Sequence, residues 1–338
     1  MAHRRGEVTL VDHDKRMKEM VKEVDRALLA YVTHGRHDKL IRAMRHYPEA
    51  GGKRMRPVMA MLTAEAVGGR GREALPFGCA LEIIHNFTLV HDDVIDQDPV
   101  RRGRPAVHIA FDMPTAIIAG DALFARAYEV LADTDVDGEA IRRLLRTVSD
   151  TVFLVAEGQQ MDVDNEERAE VSRQEYLEMV EKKTAVLFAC AAEGGAIIGR
   201  GTERQIASMK EYARLLGIGF QIWDDVLGIK GDVSKIGKPV GSDIRNGKRT
   251  LIVVDALERL EKDPRKKVLN GALGNPEASD EAVNAAIKLL EDIGSIEHAR
   301  QFALDYAKRA KDLLSCLRDS TEKEMLREMV DYAVGREL

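Results

Sequence analysis

The chain has 338 residues, of which 45% are hydrophobic, 32% charged and only 5% aromatic; this balance can bury a sizeable core and suits a helix-rich globular protein better than a disordered or all-β one. A formal net charge of −6 argues against a general nucleic-acid binder, because affinity for a phosphate backbone needs concentrated Lys and Arg. Cys79, Cys190 and Cys316 lie far apart, with neither metal-finger nor Cys-x-x-Cys spacing, and read as reduced thiols of a cytoplasmic protein.

The first residues, Met-Ala-His-Arg-Arg-Gly-Glu, carry charge but lead into no apolar core of signal-peptide length. Apolar residues at helical spacing predict helices over residues 55–67, 74–95, 116–131, 141–155, 173–180, 185–198, 203–226, 251–260, 281–293, 296–317 and 322–334. Turn-forming residues separate them at 51–52, 68–71, 99–105, 133–138, 231–247 and 274–276. The most apolar stretch, 185–198, is interrupted by Glu193 and Gly194-Gly195 and is too short to span a bilayer. No convincing alternating strand appears and no break reads as a linker. The expectation is therefore an all-α bundle of roughly ten or more helices, with residues 1–338 as one domain and no membrane span.

Charged residues gather at a few of the breaks. Gly51-Gly52-Lys53-Arg54-Met55-Arg56-Pro57 puts cations and free backbone amides at a helix start, where the helix dipole also favours anions. At the end of the 74–95 segment stands His91-Asp92-Asp93-Val94-Ile95-Asp96. On a helix Asp92 and Asp96 are one turn apart with Asp93 beside them, and their mutual repulsion calls for a compensating cation. Carboxylate oxygens suit Mg²⁺, which shares its remaining positions with water and substrate phosphates. Arg101-Arg102 follows directly, and guanidinium groups can grip phosphate oxygens in bidentate fashion. A second pair, Asp224-Asp225, closes the long apolar segment after Phe220-Gln221, and Lys238 and Lys248 lie in the glycine-rich stretch beyond it. Each cluster alone could be a solvated helix end or surface charge. Two acidic pairs ending apolar helices, with basic residues beside them, point instead to metal-bound diphosphate.

Together these segments resemble the polyprenyl synthetases, closest to short-chain geranylgeranyl and farnesyl diphosphate synthases of archaeal type. The likeness runs over about residues 51–248: Gly-Gly-Lys-Arg-x-Arg-Pro, His-Asp-Asp-x-x-Asp with Arg-Arg-Gly-x-Pro, Lys183-Thr184, Phe-Gln-x-x-Asp-Asp, and Gly-Lys-Pro-x-Gly-x-Asp-x-x-x-Gly-Lys-x-Thr. The resemblance implies an isoprenoid-synthase-type helical bundle around a central cavity and a homodimer. It implies Mg²⁺ on Asp92, Asp93, Asp96, Asp224 and Asp225. Lys53, Arg56, His85 and Arg102 would hold isopentenyl diphosphate. Arg101, Lys183, Lys238 and Lys248 would grip an allylic diphosphate, with Thr184 and Gln221 near the reacting carbon. The chain departs from the pattern at Gly228, where many relatives carry a third aspartate; Asp232 is a candidate substitute.

The implied chemistry is ionisation of the allylic diphosphate, attack by the double bond of isopentenyl diphosphate, and loss of a proton to the released diphosphate, in a dry cavity. The helix before Asp92 would also measure the product. On an ideal helix Thr88, His85 and Leu81 lie near the Asp92 face, about 6, 10 and 16 Å below it. A small Thr88 would let a growing tail pass. By resemblance, the bulky Phe87 five positions before Asp92 marks a twenty-carbon product, with fifteen carbons as the alternative, although ideal geometry turns Phe87 roughly 140° from that face. A terpene cyclase would share diphosphate ionisation but need no second diphosphate site. A non-catalytic subunit of a heteromeric synthase could keep the fold while losing metal ligands.

Overall fold

A computed structural model describes residues 10–168, 170–230 and 241–335. It is almost wholly helical: α1 (Leu10–Tyr31), α2 (Asp38–Glu49), α3 (Met55–Ala66), α4 (Leu75–Ile95), α5 (Val107–Ala110), α6 (Met113–Ala132), α7 (Gly138–Glu167), α8 (Arg173–Val180), α9 (Val186–Ile198), α10 (Glu203–Lys230), α11 (Ser242–Arg245), α12 (Leu251–Arg259), α13 (Lys266–Ala272), α14 (Asp280–Asp292), α15 (Ser295–Leu313) and α16 (Thr321–Gly335). The strands among the described residues form one two-residue hairpin, Val100–Arg101 with Arg104–Pro105. No helix among the described residues is long and apolar enough to cross a membrane.

Contacts divide the chain into two compact units. Unit 1 holds the described residues up to Ser149 with Cys190–Lys210 and Leu314–Glu328; unit 2 holds Asp150–Ala189, Glu211–Leu313 and the residues from Met329 onward.

In unit 1, α4 is buried almost all round from Phe77 to Ile84 and only then becomes one-sided, the pattern of a central helix. Small residues let α9 approach α3 closely. A Cβ at Gly195 would collide with the Ala60 carbonyl and one at Gly199 with the Ala64 carbonyl, so the glycines that interrupt the most apolar stretch serve packing. Helix α1, which lies outside the predicted set, buries Met20, Val24 and Leu28 at four-residue spacing, and Val32 just past its end continues the stripe. Its other faces are charged, and Arg16 ties it to Glu65 and Glu322 at 2.6 Å each.

In unit 2, a capping box at Ser172 and Glu175 starts α8, where the Ser172 hydroxyl accepts from the Glu175 amide and the Glu175 carboxylate accepts from the Ser172 amide. Helix α8 runs into a π-helical turn, Glu181–Ala185, before α9. Such one-turn widenings often accompany functional positions. Here the turn carries Lys183 and Thr184.

Candidate active site

The basic loop of unit 1 is built around a strained residue. Arg54 caps α3 in the left-handed region (φ 48°, ψ 35°), a conformation that costs a non-glycine residue on the order of 1 kcal/mol or more. Its buried guanidinium compensates by donating to Asp25 Oδ1 at 2.7 Å, Glu82 Oε1 at 2.8 Å and the Pro48 carbonyl at 2.7 Å. A Cβ at Gly52 would stand 3.1 Å from Arg54 Nη1 and 3.2 Å from Arg102 Nη1, so a side chain there would press on both guanidinium groups.

Arg102 reaches this loop from the hairpin. Its turn residues, Arg102 (φ 52°) and Gly103 (φ 72°), both take positive φ, as a tight two-residue hairpin of the I′ class requires. Arg102 Nη1 thereby donates to the Gly51 carbonyl. Arg101, on the strand itself, donates through Nε to Asp93 Oδ1 at 2.8 Å and through Nη2 to the same oxygen.

The electrostatics of this basic cluster favour an incoming anion. Burial, then the neighbouring Arg102, pushes Arg56 down to about 10 against the pull of Glu82. Burial, then Arg56, Arg102, Arg101 and Arg54, holds the His85 imidazole well below its ordinary value, so it is neutral at pH 7. Arg54, Arg56 and Arg102 all feel the carboxylate of Glu82, which is 2% exposed. So many cations around one buried counter-ion leave local positive charge of the kind that can accept phosphate oxygens. Lys53 lies at the exposed lip of the loop.

The first acidic cluster ends α4. The Asp96 amide still donates to the Asp92 carbonyl at 2.7 Å, so the helical spacing holds through Asp96, and both side chains are half-buried. Asp93, which the sequence pattern groups with them, turns into the protein: it is fully buried, with Oδ1 taken by Arg101 and Oδ2 accepting from the Tyr47 hydroxyl. Below the cluster, Phe87 packs against Phe124 of α6 (centroids 5.4 Å) and edge-on to His91 (5.1 Å). The Thr88 hydroxyl donates to the His85 carbonyl at 2.9 Å.

Unit 2 carries the second cluster. The Thr184 hydroxyl donates to Gln221 Oε1 at 3.1 Å, Gln221 Nε2 donates to Asp225 Oδ1 at 3.0 Å, and the Tyr176 hydroxyl donates to Asp225 Oδ2 at 2.6 Å. Thr184 and Gln221, both expected near the reacting carbon, thus share one hydrogen-bonded chain with an acidic residue. Lys183, expected to grip the allylic diphosphate, donates to Asp162 Oδ2 at 2.5 Å. Burial alone would raise the Asp162 carboxyl, but Lys183 and Lys248 beside it hold it below its ordinary value. Lys183 and Lys248 are therefore gathered around one anion.

Both clusters fit Mg²⁺ by donor chemistry. Burial, with Asp243 and Asp224 nearby, pushes the Asp225 carboxyl up to about 7, so its full negative charge calls for a cation alongside. Among the described residues no three His, Cys, Asp or Glu side chains form a closed metal cage. Carboxylates in pairs suit an ion that keeps water and phosphate in its remaining positions.

Lys238 and Asp232 lie outside the described residues. At the position lacking a third aspartate, a Cβ on Gly228 would stand 3.0 Å from Asp243 Oδ2. Asp243 occupies that space, and its signal was present in the Gly-x-Asp segment before Lys248. Asp162, Tyr176, Glu82 and Tyr47 had no comparable signal, since each is a single polar residue in a helical run that only the fold brings to the site.

A polyprenyl synthetase family model matches residues 37–290. The chain is 41% identical to the geranylgeranyl diphosphate synthase of Methanosarcina mazei, covering 98% of this chain and 99% of that one. It is also 41% identical to the short chain isoprenyl diphosphate synthase of Methanothermobacter thermautotrophicus, covering 97% and 99%. The crystal structure of geranylgeranyl pyrophosphate synthetase from Pyrococcus horikoshii superposes with a TM-score of 0.91 at 39% identity, over 97% of this chain and 99% of that one. With the motifs, the helical fold and these matches in agreement, the chain belongs to the polyprenyl synthetase family.

Proposed function

We infer that this protein is a geranylgeranyl diphosphate synthase, joining isopentenyl diphosphate to an allylic diphosphate with Mg²⁺. The observation that supports the reading is the gathering of Arg54, Arg56 and Arg102 around the buried Glu82 in unit 1, a basic cluster in addition to the carboxylate pairs. A second diphosphate substrate needs a cluster of that kind and a cyclase does not. Lys53, Arg56, His85 and Arg102 hold isopentenyl diphosphate; Arg101, Lys183, Lys238 and Lys248 hold the allylic diphosphate. His85, kept neutral, binds by hydrogen bonding without adding to the crowded positive charge.

Asp92, Asp96, Asp224 and Asp225 would ligate Mg²⁺, with Asp93 acting through Arg101. Bound Mg²⁺ supplies neutralisation of the charge that builds on the departing diphosphate. Arg101, Lys183 and Lys248 stabilise the same charge as the allylic C–O bond breaks, and Thr184 and Gln221 present oxygens towards the carbon left positive. A C–C bond forms from the isopentenyl double bond, and the proton lost leaves with the diphosphate. Phe87, braced by Phe124, bounds the growing tail at twenty carbons.

The exposed apolar residues Ile109, Met113, Ile117 and Ile118, on α5 and one side of α6, support a homodimer formed through that face. Three free cysteines, two of them buried, support a cytoplasmic location. The test is incubation with Mg²⁺ and an allylic diphosphate alone: the substrate should persist until isopentenyl diphosphate is added. Consumption without it would identify a cyclase instead.

A further inference from the structure

Tyr47 lies on the buried face of α2, in its last turn, and is 1% exposed. It makes three contacts that converge on the hairpin arginines. Its hydroxyl donates to Asp93 Oδ2, whose other oxygen holds Arg101. That hydroxyl also accepts from the Val107 amide at 3.2 Å, where the chain leaves the hairpin for α5. Its carbonyl accepts from Arg102 Nη1 at 3.4 Å. One residue of α2 therefore contacts Arg102 directly and Arg101 through Asp93, while its hydroxyl fixes the exit of the strand pair.

We propose that Tyr47 is a positioning residue for condensation: through Asp93 it sets the orientation of Arg101 towards the allylic diphosphate, while its backbone independently supports Arg102. The inference rests on the function proposed above and goes beyond it, because Tyr47 is buried and is not among the residues assigned to either substrate.

The hydroxyl and carbonyl contacts can be separated. Tyr47→Phe deletes the hydroxyl and leaves the carbonyl in place. Without its second partner the Asp93 carboxylate can rotate, and Arg101 follows it; Arg102 does not. Loss of a hydrogen bond to a charged group then predicts a KM for the allylic diphosphate raised about tenfold in Tyr47→Phe, with the KM for isopentenyl diphosphate unchanged. The Mg²⁺ concentration giving half-maximal rate should also stay unchanged, because Asp93 acts through Arg101.

The experiment is steady-state kinetics on the wild type, Tyr47→Phe, Asp93→Asn and the double variant, varying each substrate and Mg²⁺ in turn, with circular dichroism to verify folding. Coupling through Asp93 predicts that the double variant is no worse than Asp93→Asn alone. An unaltered allylic KM in Tyr47→Phe, equal rises in both KM values, a raised Mg²⁺ requirement, or additive losses would each overturn the proposal. If Tyr47→Phe does not fold, Asp93→Asn carries the same test, with a rise in allylic KM alone expected and a raised Mg²⁺ requirement contradicting it. A wild type that forms no condensation product would instead refute the underlying function, so the two failures are distinguishable.

Discussion

His85 shows how position changes what a side chain does. On the helix it lies near the Asp92 face, but its neighbours in the fold are Arg54, Arg56, Arg101 and Arg102, which with burial depress its proton affinity. The sign of the consequence follows from linkage. In the unfolded chain this imidazole titrates near 6.5, and below that value the unfolded state binds a proton that the folded state refuses. Its stability contribution is intact above about pH 6.5 and is lost as pH falls below it, at up to about 1.4 kcal/mol per pH unit. The thermal midpoint of His85→Gln should therefore fall less steeply than that of the wild type between about pH 7 and about pH 5. Parallel slopes would contradict the neutral assignment. The sequence placed His85 at a substrate by resemblance, but its charge state could not be read there, because it depends on arginines from two other segments, the 51–57 loop and the hairpin.

At the scale of elements, hydrophobic periodicity located most helices closely. Residues 173–180 coincide with α8, and 203–226 falls short of the end of α10 by one turn. Helices α1 and α2 went unpredicted although α1 has a clear buried stripe, because the charges between its apolar residues lower the apparent hydrophobicity of the whole segment. The π-helical turn at Glu181–Ala185 has no sequence signature, since it depends on what presses against it. In unit 2 two glycines do so. A Cβ at Gly158 on α7 would come within 2.7 Å of Lys183 Cα, and one at Gly217 on α10 within 2.6 Å of Ala185 Cα. Gly158→Ala should displace the turn, pull Lys183 from Asp162 and Thr184 from Gln221, and lower kcat/KM by roughly 10- to 100-fold while the helical circular dichroism spectrum survives. Wild-type activity in a folded Gly158→Ala protein would show that the turn does not position these groups.

For the whole molecule, the all-helical class, the absence of a membrane-spanning helix among the described residues and family membership follow from patterns visible along the chain. The commitments of individual carboxylates do not. Asp92, Asp93 and Asp96 look alike in sequence, yet Asp93 is fully buried against Tyr47 and Arg101 while the other two keep access to solvent. The central claim is that this polypeptide uses divalent cations to couple two diphosphates into a twenty-carbon chain. Its most direct measurement is chromatography of the dephosphorylated products formed from radiolabelled isopentenyl diphosphate and farnesyl diphosphate, with Mg²⁺ present and after chelation. The account predicts a single labelled geranylgeraniol peak that disappears with the metal; label incorporated equally after chelation, or none incorporated with Mg²⁺ present, would contradict it.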